Sequence, residues 1–135
     1  MITKLKDIPN INNGGCGIAA LVIHRQLKAV GLDTEILFMY GKGEDSEFLK
    51  NLNLGANGDS LYAPEHVGIL LGNGRILDAL GVVPEDAFDD WHSVSEKELI
   101  DCINSPEVGM WNSDFKRVVL KDYPDILGLI PDVIL

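Results

Sequence analysis

The chain has 135 residues, 46% of them hydrophobic, with 11 Lys and Arg against 21 Asp and Glu and a formal charge of −10. That length and apolar content suffice for one domain over residues 1–135 with a core of its own, without disulfide staples. A charge this negative is repelled by phosphate backbones and anionic lipid, which argues against nucleic acid and membrane surfaces as partners. No run approaches the roughly 18 apolar residues needed to span a bilayer.

The opening segment, Met1-Ile2-Thr3-Lys4-Leu5-Lys6-Asp7, has no apolar stretch of signal-peptide length. Cys16 and Cys102 could pair, but two thiols in a chain of this size do not make a secreted disulfide scaffold, so a reducing, cytoplasmic setting is expected. The acidic pairs Glu44-Asp45, Glu85-Asp86 and Asp89-Asp90 are scattered, as on a solvated surface.

In chain order, Asn12-Asn13-Gly14-Gly15-Cys16-Gly17 is followed at once by Ile18, Ala19, Val22, Ile23, Leu27 and Val30 at spacings of three and four. This predicts an amphipathic helix from Ile18 to Val30, stopped by Gly31. Cys16 then sits at a helix start, where backbone N–H groups and the helix dipole favour a thiolate. The loose G-x-G-x-x-A match at Gly15 to Ala20 lacks the preceding strand that a dinucleotide site requires.

Glu35 to Tyr40 reads as a buried strand, Ser46 to Leu52 as a short helix, and Gly55 to Ser60 as a loop. His66 to Leu71, Gly72-Asn73-Gly74 and Arg75 to Leu80 read as a β-hairpin in one of two registers. A two-residue turn at Asn73-Gly74 pairs Ile69 with Asp78 and puts Asp78 on the face opposite His66. A three-residue loop with Gly74 left-handed pairs Gly68 with Asp78 and leaves His66 and Asp78 diagonally adjacent on one face.

Pro84 to Trp91 reads as an acidic connector, and Ser95 with Glu98 as a capping box opening a helix to about Ile103. A strand is expected from Phe115 to Leu120, before an apolar tail broken by Pro124 and Pro131. The order of elements predicts an α+β fold with a mostly antiparallel sheet. His24 reads as structural or solvent-facing, His92 and Cys102 as packing residues, and no cofactor or metal site is implied by the spacing of Cys and His.

Thiol catalysis needs an ionisable cysteine, a base, a group that orients the base, and an oxyanion donor. Cys16, His66 and Asp78 fit the first three roles. The Cys16 backbone N–H, with an amide from Asn10, Asn12 or Asn13, fits the fourth.

The run His66-Val67-Gly68-Ile69-Leu70-Leu71-Gly72-Asn73-Gly74-Arg75-Ile76-Leu77-Asp78-Ala79 resembles the histidine hairpin of the NlpC/P60 thiol hydrolases, whose pattern is roughly H-V-G-I-Y-L-G-N-G-x-x-I-H-A. Gly15-Cys16-Gly17 is nearer to the Gly-Cys-Gly of papain-type proteases than to the Asp-Cys-Ser-Gly usual in NlpC/P60 enzymes. The resemblance implies a minimal papain-like domain with its catalytic helix packed on an antiparallel sheet. It also implies a peptide or amide substrate, cleaved through an acyl-enzyme by Cys16, His66 and Asp78. Asp78 stands where NlpC/P60 enzymes usually have histidine, and Asn10 at the offset of papain's oxyanion glutamine. A transglutaminase-like or deamidating acyl transferase shares this triad, and an inactive binding module on the same scaffold would keep its geometry.

Overall fold

A computed structural model of the chain describes residues 11, 15–41, 43–51, 64–84 and 86–105, with backbone alone for 45, 46 and 49. The first helix, α1 (Cys16–Ala29), starts two residues earlier than the hydrophobic period predicts, so Cys16 is its first residue. Gly31, at φ +85°, ends it: Leu32 N–H donates to the Leu27 carbonyl and Gly31 N–H to that of Lys28, a Schellman closure that needs a left-handed residue. Val30 caps the helix and is 72% exposed, off the apolar face expected for it.

Gly17 to Ile23 are all buried, so the first half of α1 is enclosed on every side and only the second half is amphipathic. β1 (Thr34–Tyr40) follows, then α2 (Glu44–Asn51), β2 (His66–Leu71), β3 (Ile76–Asp78), β4 (Gly81–Val82), β5 (Asp90–Val94) and α3 (Glu96–Asn104). The expected α+β class with an antiparallel sheet holds: five strands pair antiparallel in the order β4-β3-β2-β1-β5. β1 lies between β2 and β5 and is buried from Ile36 to Tyr40, as an uninterrupted apolar strand should be.

Strand alternation divides the apolar residues between two cores. Ile36, Phe38, Tyr40, Val67 and Ile69 pack with α1, Leu99, Cys102 and Ile103 on one face. On the other, Leu37, Met39 and Val83 gather Leu70, Ile76 and Phe88. The segment read as an acidic connector is therefore folded structure. It places Phe88 over the sheet against the core that holds Val83, and continues into β5, an edge strand mostly exposed to solvent. Polar residues on an exposed edge hide a strand from any hydrophobic period.

The capping box forms as expected, with Ser95 Oγ accepting from the Glu98 N–H at 3.1 Å and Ser95 N–H donating to Glu98 Oε1 at 3.4 Å. Arg25 pairs with Glu96, joining α1 to the start of α3. No helix among the described residues is long and apolar enough to cross a membrane. The loop at 55–60, the strand expected at 115–120 and the apolar tail lie outside the described residues.

Candidate active site

The hairpin takes the three-residue loop. Leu71 N–H donates to the Arg75 carbonyl at 2.8 Å, Gly74 has φ +85°, and Ile69 pairs with Leu77. Continued one step, that register sets Gly68 opposite Asp78, and the carboxylate reaches diagonally to the ring of His66. The Nε2–H of His66 donates to Asp78 Oδ2 at 3.0 Å, between side chains only 11% and 14% exposed.

The second oxygen of Asp78 is engaged as well. Its Oδ1 accepts from the Leu80 N–H at 2.8 Å, in the turn that leads to Gly81 at φ +122°. The carboxylate is thus oriented by its own backbone while it orients the imidazole, serving the turn and the histidine together.

Cys16 opens α1 and His66 opens β2. The thiol hydrogen-bonds the His66 ring. Burial lowers the pKa of this ring, but hydrogen bonding to Asp78 and Cys16 and attraction to the same groups outweigh it and raise the pKa from 6.5 to about 9. The ring thus favours its protonated form, with Asp78 held at Nε2.

The first-turn N–H groups of α1 have no intrahelical acceptor, no acidic side chain lies in that turn, and the cap residue, Gly15, adds no side-chain bond. The Cys16 end of the helix thus offers donors and a positive dipole to a developing oxyanion. Asn10, Asn12 and Asn13 lie outside the described residues.

Two neighbours of the site have no counterpart in the expectations from sequence. Phe88 stacks flat on His66, with ring centroids 5.3 Å apart and planes at 3°. Met39 is the cross-strand partner of His66. The only local signal for Phe88 is that it is the lone aromatic in the acidic run from Pro84 to Asp90.

His24, His92 and Cys102 have partners of other kinds. His24 Nδ1 is hydrogen-bonded to Thr34 Oγ1 at 2.6 Å, and burial lowers its pKa. His92 stacks on Tyr40 and meets Phe38 edge-on, both at 5.8 Å, so it packs against the sheet as expected. Cys102 is 2% exposed, with burial raising its pKa to about 12, and neither it nor Cys16 is in a disulfide. No three His, Cys, Asp or Glu side chains among the described residues gather as metal ligands. The chain matches no protein-family model, no curated protein and no solved structure.

Proposed function

We propose that this chain is a thiol hydrolase of peptide or amide bonds on a papain-like scaffold, with Cys16 as nucleophile, His66 as acid and base, and Asp78 as the group that orients the imidazole. The observation that carries this reading is the buried ring of His66, bonded through Nε2 to Asp78, with Cys16 among the groups that raise its pKa. Three residues distant in sequence converge there, and a merely structural histidine has no need of all of them.

Sulfur attacks the carbonyl carbon, and the oxyanion is met by first-turn N–H groups of α1. Collapse breaks the C–N bond as His66 gives its proton to the leaving amine, leaving an acyl thioester on Cys16. Water then adds to the thioester while His66 takes its proton. The carboxylic acid leaves, and Cys16 and His66 return to their starting charge.

Amide and peptide substrates presented to the wild type and to Cys16→Ala test the reading. Turnover should vanish in Cys16→Ala with the thermal midpoint nearly unchanged. A variant that retains turnover would sink the assignment. Alkylation of Cys16 by iodoacetamide, resolved from Cys102 by peptide mass, should slow at least ~10-fold at about pH 6 in His66→Ala. Indifference to His66 would make Cys16 a packing residue.

A further inference from the structure

On the sheet face opposite α1, a cavity of about 300 Å³ is lined by Met39, Leu70, Ile76, Val83, Phe88 and Trp91 among others, and no lining residue carries a charge. An uncharged hollow in a chain of net charge −10 is a selective surface, because it accepts apolar matter and strips water from anything polar. A hollow of this size, lined mainly by apolar side chains, is of the kind that takes small-molecule groups.

The cavity adjoins the site. Phe88 lines it and also stacks on the ring of His66, and Met39 lines it and pairs with His66 across β1 and β2. Its wall is therefore partly the wall of the base. From there it runs along the sheet toward Leu70 and Ile76, which pair with each other near the hairpin loop. Gly68, between His66 and Leu70 on the same face, leaves that floor low: a Cβ there would lie 2.8 Å from Ile76 Cγ2 and 2.9 Å from Met39 Sδ.

We infer that this cavity seats an uncharged apolar group of the substrate, aliphatic or aromatic, while Cys16 reacts with the amide, so that the enzyme selects amides bearing such a group. The inference rests on the thiol-hydrolase reading of Cys16. It adds Val83 and Trp91, which touch neither Cys16 nor Asp78 in any hydrogen bond, as residues that set specificity.

The test is the rate at which N-butyl, N-hexyl and N-octyl iodoacetamide alkylate Cys16, each beside an ether chain of equal length and beside iodoacetamide itself. Seating one methylene is worth about fourfold, so the alkyl reagents should outrun their ether partners by at least ~10-fold once the chain reaches the cavity. Val83→Phe, which fills the hollow, and Trp91→Ala, which opens its exposed rim, should remove most of that advantage. The iodoacetamide rate should not change in either, which also shows that the variant is folded. Should Val83→Phe fail to fold, Trp91→Ala carries the test.

Equal alkyl and ether rates, or an advantage that survives both variants, would overturn the inference while the His66 dependence of iodoacetamide left the hydrolase reading intact. An iodoacetamide rate indifferent to His66→Ala would overturn that reading, and this inference with it.

Discussion

Asp78 Oδ2 lies 3.0 Å from His66 Nε2, and what brings them together is the length of the loop between their strands. A carboxylate at that distance both orients the ring and stabilises its charge. Asp78→Asn keeps an acceptor and loses the charge. The imidazole pKa, followed by NMR, should fall from about 9 toward 6.5, and turnover should drop less than in His66→Ala. Equal and total losses in the two variants would assign Asp78 to the fold alone.

Stability should decline on the alkaline side for a reason traceable to one residue. His66 holds its proton more tightly folded, at about 9, than unfolded, at 6.5, so its contribution is full below pH 6.5 and drains as pH rises through 9. The loss amounts to at most about 3 kcal/mol. His24 has the opposite sign: burial lowers its pKa, so it costs stability as pH falls below 6.5. Urea midpoints should therefore fall between pH 6.5 and 9, and in His66→Ala that slope should flatten. An unchanged slope would mean that the imidazole is not charged in the folded state.

Phe88 should act through the ring it covers. A flat stack at 5.3 Å restricts rotation of the His66 imidazole, and the ring face favours its positive charge. Phe88→Leu keeps apolar bulk and removes the aromatic face, whereas Phe88→Tyr keeps both. Iodoacetamide labelling of Cys16 should slow several-fold in the Leu variant and recover in the Tyr variant, with stability changed by about 1–2 kcal/mol in Leu. Equal rates in both would reduce Phe88 to packing.

Gly68→Ala should destabilise by about 1–3 kcal/mol, because a methyl group there meets Ile76 and Met39 closer than van der Waals contact allows. Adding Ile76→Ala removes the nearer of the two contacts. In a double-mutant cycle the pair should cost less than the sum of the single changes. Strict additivity would show that the sheet absorbs the methyl group elsewhere.

The elements that define the site were readable because their signals are local. Gly31 closes α1, the glycines around Asn73 mark the hairpin, and Ser95 with Glu98 caps α3. The choice between registers was not readable, since Gly72-Asn73-Gly74 satisfies a two-residue and a three-residue turn alike with Gly74 at positive φ in both, and only the strand pairing of Leu71 with Arg75 and Ile69 with Leu77 separates them. The stack of Phe88 on His66 joins residues 22 apart through a segment rich in acid, and no periodicity announces such a contact. β5 escaped where β1 did not, because an exposed edge strand is written in polar residues and a central one in apolar residues.

The enclosure of Gly17 to Ile23 has a consequence for how the site would fail. A nucleophile on a surface loop can be lost by local fraying while the rest of the molecule stands. Here the residue at the head of α1 is anchored to a stretch that opens only when the main core opens, so amide exchange along that stretch should require the full unfolding free energy. Heat or denaturant should then extinguish the thiol's chemistry and the tertiary structure in the same transition, with no range of conditions in which an intact fold carries a dismantled site.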